Sequence, residues 1–300
     1  MDNTAKNIFF LGKGGVGKST SSALTALHLA DTGKTVLLVS LDPAHNQGDI
    51  FMRKFAEKAV KIDDKLTVKE VDIDYWVKKY LSDIQFQIKR NYSYLTAFNL
   101  ENYLDIIKYS PGIEEYAMLM AYKNIRRKAN GVDYIIFDMP PTALTLKFLT
   151  LPNLSLLWLD NLLDLRNKII EKKEIITKVK VGKREFETDK IRNKLHEQIE
   201  DYKTVKAVFE NPEKTCLNLV MNTDKLSFSE SELIVDNLSK FNISIKNVFL
   251  NKYLDGFDSK IIEEKYKQCA VQIFPASEKP LLGASVLKHY LQSLPSFIRL

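Results

Sequence analysis

Lys6-Asn7-Ile8-Phe9-Phe10-Leu11-Gly12-Lys13-Gly14-Gly15-Val16-Gly17-Lys18-Ser19-Thr20 is the stretch that decides the fold. Its first part is a short apolar run ending at a glycine, which suits a strand buried on both faces of a parallel sheet. Its second part satisfies the pattern Gly-x-x-x-x-Gly-Lys-Ser/Thr. Ser19–Ala30 then repeats apolar residues at helical spacing until Thr32-Gly33 stops it. The loop formed by Gly12, Gly14, Gly15, Val16 and Gly17 turns successive backbone N–H groups toward one centre, and the helix adds the partial positive charge of its N-terminus. Lys18 is placed to reach β- and γ-phosphates, the Ser19 hydroxyl to ligate Mg²⁺, and Thr20 to donate to an α-phosphate. The segment implies a bound nucleotide.

Outward from this loop, short apolar strands are expected at Thr35–Leu41, Leu66–Asp72, Asp133–Asp138, Cys216–Met221 and Ile245–Asn251, with helical stretches between them. That alternation predicts an α/β fold, a doubly wound and mainly parallel sheet with helices on both faces. Two long helical blocks, at about 74–130 and 151–211, exceed a minimal unit. They are expected as insertions growing from one edge of the sheet, within a single domain spanning 1–300.

Composition bounds the rest. Hydrophobic residues at 45% and charged residues at 27% are ordinary for a globular chain, which excludes disordered and fibrous classes. The net charge of +6 is spread thinly, so no nucleic acid partner is expected. Two cysteines, Cys216 and Cys269, exclude a disulfide framework and a cysteine-rich metal site within one chain. No secretory segment is read at the start, and no run approaches the ~18 uncharged apolar residues of a membrane span. The nearest, Leu151 to Leu165, is broken by Asp160 and Asp164. The expected location is the cytoplasm.

Several further residues carry chemistry. Asp42, in Leu41-Asp42-Pro43-Ala44-His45-Asn46, sits where a carboxylate orients an attacking water or holds a Mg²⁺-bound one. Ile135-Ile136-Phe137-Asp138 is an apolar strand ending in an acid that suits the Mg²⁺ shell. Lys13 reads either as a solvated loop charge or as a second catalytic cation beside the phosphates.

Lys13-Gly14-Gly15-Val16-Gly17-Lys18-Ser19-Thr20 resembles the phosphate loop of the dimeric ATPases that include the nitrogenase iron protein, partition ATPases, and the arsenite-pump and tail-anchored-protein-targeting ATPases. Asp42-Pro43-Ala44-His45-Asn46 is similar to switch I of the last branch. The resemblance implies ATP as the nucleotide, a homodimer, Lys13 acting across the dimer on the partner's nucleotide, and Asp42 activating water. It places His45 and Asn46 in the switch, either as caps or against phosphate.

Asp138-Met139-Pro140-Pro141-Thr142-Ala143-Leu144-Thr145-Leu146-Lys147 resembles the branch's switch II, Asp-Thr-x-Pro-Thr-Gly-His-Thr-Leu-Arg. Met139, Ala143 and Leu144 depart from it, which implies a coupling that differs in detail. Asn251 corresponds to the adenine-reading Asn, with Asn222 as competitor. Pro275, in the loop from Ile273 to Leu281, corresponds to a contact with the base. Pro111-Gly112-Ile113-Glu114-Glu115 is also similar to a family segment, and its acids suit a helix N-terminus.

Leu154, Leu156, Leu157, Trp158, Leu159, Leu162, Leu163 and Leu165 form an apolar run wider than one helix needs to bury. Trp76, Tyr80, Phe86, Tyr92, Tyr94, Phe98 and Tyr103 are read beside it. The two sets either pack on each other as core or form a groove for a hydrophobic client segment, and periodicity does not say which. Three roles follow: a targeting ATPase that captures and releases such a client, the soluble motor of an arsenite or other anion pump, or a partition or scaffold ATPase.

Overall fold

The computed structural model describes residues 4–91, 110–180, 190–254 and 260–297. Its frame is an eight-stranded sheet built from β1 (Lys6–Leu11), β2 (Val36–Ser40), β3 (Val60–Lys61), β4 (Leu66–Glu70), β5 (Tyr134–Asp138), β6 (Thr215–Met221), β7 (Asn247–Tyr253) and β8 (Ala270–Pro275). The order is β3-β4-β2-β5-β1-β6-β7-β8, with only the β3–β4 pair antiparallel. The expected doubly wound sheet is what the chain forms. Strand direction of winding reverses at β1, and ligands of such sheets bind beyond the carboxyl ends of the strands at that point.

Register brings the chemistry together. Phe10 of β1 lies opposite Asp138 of β5, and Ser40 of β2 lies opposite Asp138 on the other side. The ends of β1, β2 and β5 therefore converge on one carboxylate.

Successive residues of the central strands alternate between two cores. Ile8, Phe10, Leu38, Ile136, Val220 and Phe249 face α1 (Lys18–Asp31), α2 (Asn46–Phe51) and α9 (Ala284–Ser293). Phe9, Val39, Phe137, Leu219 and Leu250 face α3 (Ile73–Asn91), α4 (Ile113–Lys128), α5 (Thr142–Lys180), α6 (Lys190–Glu210), α7 (Lys225–Ser239) and α8 (Lys260–Lys265). At the centre of the second core the Phe9 ring stacks on Phe137 with centroids 4.8 Å apart and meets Phe209 edge-on. Tyr122 and Phe148 close the cluster.

The helical blocks do not hang from an edge of the sheet, as the sequence suggested. They connect β4 to β5 and β5 to β6, and their apolar faces pack on one sheet face with Phe9, Phe137 and Leu219 of the central strands β1, β5 and β6. Two strands were missed. β3 is only two residues long, and β8 was read as loop because its Pro275 and following turn residues masked the alternation of Gln272 and Phe274 into the core. Tyr92, Tyr94, Phe98 and Tyr103 lie outside the described residues.

The second block also alters the reading of the apolar run. Switch II and the leucine stretch form one continuous helix, α5, of 39 residues. Thr142–Lys172 is long and apolar enough to cross a membrane, at a mean hydropathy of 1.2, and 56% of its most apolar window is buried inside the protein. Asp160 and Asp164 interrupt its apolar sequence but not the helix, and both are exposed.

The aromatic cluster is a test of this packing. Phe9→Ala removes the ring that four other aromatics contact, and urea unfolding is expected to show a loss of ~3–5 kcal/mol. A loss under 1 kcal/mol would mean that the cluster does not hold the helices to the sheet.

Candidate active site

The phosphate loop leaves β1 at Gly12, whose φ is 148°. A β-carbon there would come 2.2 Å from the Val220 carbonyl oxygen of β6, so only glycine fits. Gly17 begins α1 with φ 96°, and its missing β-carbon makes room for the Asn251 amide. That amide nitrogen donates to the Val16 carbonyl at 2.7 Å, and Lys252 Nζ donates to the Gly15 carbonyl at 3.4 Å. β7 thus braces the loop from outside. Lys18 is buried, and its ammonium folds back to donate to the Lys13 carbonyl at 3.1 Å. Burial lowers its pKa, while Asp138 and Asp42 nearby raise it.

Asp138 is fully buried at the end of β5. Its Oδ2 accepts from Gln47 Nε2 at 3.0 Å and from Ser40 Oγ at 3.5 Å; its Oδ1 has no partner. Burial lifts its pKa to about 6, against the pull of hydrogen bonds from Gln47 and Ser19 and in concert with the nearby Asp42 charge. An orphaned oxygen on a sealed carboxylate beside the Ser19 hydroxyl fits a hard divalent cation such as Mg²⁺, which would satisfy that oxygen and stabilise the charged form.

Gln47 was missed by sequence reading and is the hub here. Its amide nitrogen, which has two N–H donors, lies within hydrogen-bond distance of the Ser19 carbonyl at 3.1 Å and the Ser22 hydroxyl at 3.0 Å as well as Asp138, joining switch I, the loop helix and β5. The signal was present: Gln47 shares the i, i+3, i+4 buried face of α2 with Ile50 and Phe51, a core position held by a polar residue.

Asp42 lies just beyond β2, with Oδ1 accepting from the Ala44 N–H at 3.0 Å, which points the turn toward the loop. His45 adopts φ 51° at the start of α2 and makes no side-chain cap; its Nδ1 sits 3.8 Å from Glu70 Oε2. Glu70 is the residue that fastens the switch, accepting from the Gly48 N–H at 2.8 Å, and burial raises its pKa.

A cavity of about 780 Å³ opens over the loop. Its floor includes Gly14, Gly15, Gly17, Lys18, Ser19 and Thr20, and one wall carries Asp42 and Asn46. Asn251 and Pro275 stand on the opposite side with the apolar Leu254, Leu281 and Leu282. Asn222 is not part of this wall. Gly12 and Val16 lie buried beneath the loop, and Asp138 lies behind it. Lys13 is only partly buried and its ammonium has no hydrogen-bond or ion-pair partner among the described residues. One N–H of the Asn251 amide is committed to the loop, which leaves its second N–H and its carbonyl oxygen for a ligand.

Switch II enters α5 beside the site. Thr145 Oγ1 donates to the Pro140 carbonyl at 2.6 Å, and the Thr142 hydroxyl contacts the Glu230 carboxylate of α7. Glu115, at the N-terminus of α4, does more than suit the helix dipole: it is buried and pairs with Lys147 of α5 at 3.0 Å.

A glycine loop between β1 and α1, a buried loop lysine, and acids at the ends of β2 and β5 define a phosphate-loop ATPase. The chain belongs to the anion-transporting ATPase family, whose sequence model matches residues 5–295. It is 31% identical to a putative arsenical pump-driving ATPase 2 of Aquifex aeolicus, over 96% of this chain and 98% of that protein. It is 30% identical to an ATPase ASNA1 homolog of Cryptosporidium parvum, over 85% of this chain and 67% of that protein. A Plasmodium falciparum ATPase ASNA1 homolog is 33% identical, over 86% of this chain and 66% of its own length. The chain is accordingly an ATPase of this family, hydrolysing ATP to ADP and phosphate.

The buried acid has a thermodynamic signature. With its pKa raised, the folded protein holds a proton on Asp138 that the unfolded chain has lost, so stability falls as pH rises from about 4 through about 6. The full cost, ~3 kcal/mol for about two units, is present above that window. Urea melts of the nucleotide-free protein should show this slope relative to Asp138→Asn; parallel curves would contradict it.

Proposed function

We propose that this chain forms a nucleotide-linked homodimer in which ATP hydrolysis drives capture and release of a hydrophobic helical client. One observation carries the reading. On α5, which begins at switch II, Leu154, Leu157, Trp158, Leu165 and Ile169 lie along one face and are exposed, Leu157 at 65% and Trp158 at 64%. Leu151, one turn before Leu154, and Ser155 and Leu159 on the adjoining face are buried. An open apolar stripe on a helix rooted in the active site suits an apolar partner segment. Of the first block's described aromatics, Trp76 is in the core and Tyr80 stacks on Tyr116, while Phe86 is exposed.

The chemistry is phosphoryl transfer to water. Loop N–H groups and Lys18 hold the triphosphate, and Lys18 must swing from the Lys13 carbonyl to do so. Ser19 and Asp138, with Asp42 through the outer shell, would hold Mg²⁺, which neutralises charge between the β- and γ-oxygens when bound. Asp42 orients the water and takes its proton. Lys13 of the partner subunit supplies a further positive charge, as an arginine finger does in trans. Asn251 and Pro275 bound the base. One ATPase unit covers 1–300, with the helical blocks as its insertions, and the two free thiols suit a reducing cytoplasm.

The name of the Aquifex relative raises a second reading, a pump motor. Soft metalloids call for several thiolates at one point. Here Asn247 of β7 donates to the buried Cys216 Sγ at 3.2 Å, Cys269 donates to the Ile245 carbonyl at 3.4 Å, and β7 runs between β6, which holds Cys216, and β8, which Cys269 precedes. The thiol placement favours the client reading.

Asp42→Asn is expected to keep ATP affinity and lose turnover on the order of a hundredfold. Lys13→Ala should lose turnover together with ATP-dependent dimerisation in sedimentation; an active monomer would refute the trans lysine. Leu157→Asp with Trp158→Asp should weaken binding of a fluorescent ~20-residue apolar helix at least tenfold while basal turnover stays. Equal binding by both proteins would reject the stripe as the client surface.

A further inference from the structure

A second cavity, of about 770 Å³, lies between α3, α4 and α6, and no phosphate-loop residue lines it. Its size falls within the ~300–1,000 Å³ of small-molecule sites. Four aromatic residues, Trp76, Tyr80, Tyr116 and Tyr202, contribute to its wall. Tyr80 and Tyr116 stack with centroids 5.7 Å apart and planes 4° from parallel. Burial holds the Tyr80 phenol at about 12 and that of Tyr202 higher, so both stay neutral donors.

Charge around these rings is unbalanced. Lys79, Lys123, Arg126, Arg127 and Lys194 line the cavity, against Asp83 and Asp201. Lys123 is paired with Asp201, and Lys194 with Glu197 at 3.1 Å. Lys79 Nζ stands 4.8 Å from the centroid of the Trp76 ring, and Arg127 bonds to the neutral Asn124 amide oxygen at 3.4 Å. A neutral ligand would leave Lys79 and Arg127 without a counter-charge among the described residues, and an inorganic anion would leave the ring faces uncovered.

We propose that this cavity is a binding site for a small planar organic anion, an aromatic body carrying a carboxylate, sulfonate or phosphate head. The body lies against the tyrosines and Trp76, and the head takes Lys79 and Arg127 as counter-ions. The site is separate from the ATP site and does not depend on the client reading.

The test uses the full chain without ATP and the fluorescent probe 8-anilinonaphthalene-1-sulfonate. One saturable site is expected, weakened at least tenfold in Lys79→Glu with Arg127→Glu and measurably in Lys79→Gln alone. Circular dichroism of each variant checks its fold. Trp158→Asp and saturating Mg-ADP should leave the affinity unchanged, and uncharged N-phenyl-1-naphthylamine should bind at least tenfold more weakly. The proposal falls if the charge variants bind as well as the parent, if Trp158→Asp abolishes binding, if ADP displaces the probe, or if the uncharged compound binds equally.

Discussion

A carboxylate sealed at the end of β5 sets the terms for the rest of this protein. Asp138 sits between Phe10 and Ser40 in register, with one oxygen held by Gln47 and the other without a partner. A buried charge of this kind is unfavourable unless something opposes it. Lys18, Ser19 and Gln47 all converge there, and each comes from an element whose position is set by the parallel ladder β2-β5-β1. The loop, switch I and switch II are thus three ways of approaching one acid.

What connects that acid to the outside is a single helix. α5 starts four residues after Asp138, is tied to α7 through Thr142 and Glu230 and to α4 through Lys147 and Glu115, and then presents an apolar face to solvent. Its inner face belongs to the aromatic core around Phe9. A helix packed on one side and open on the other transmits movement as a rigid element, because its core side chains interlock with the sheet. The departures of Ala143 and Leu144 from the family pattern fall in its first turn, where Leu144 packs at the margin of the core.

Much of the frame was legible because it rests on local pattern. The strand at Asn7–Leu11, the glycine loop and the helix after it have periodicities and steric demands that any fold must honour. Asp42 and Asp138 could be read because acids ending apolar runs stand out. Gln47 and Glu70 could not be read in the same way: their partners are Asp138, Ser22 and Gly48, distant in sequence or on another element. β8 was hidden for a related reason, since a strand at the sheet margin shows only partial burial and ends in a proline.

The linear chain by itself determined the phosphate loop, the parallel sheet and the acids at its strand ends, because the Gly-x-x-x-x-Gly-Lys-Ser spacing and hydrophobic periodicity are properties of neighbouring residues. Only the tertiary structure decided which face of the leucine helix is open, that the helical blocks pack on the central strands, that Asn251 braces the loop, and that tyrosines and cations from three helices enclose a second cavity. Solvation of a helix face and convergence of side chains depend on what packs opposite, and that is settled by long-range burial, which no short window of sequence contains.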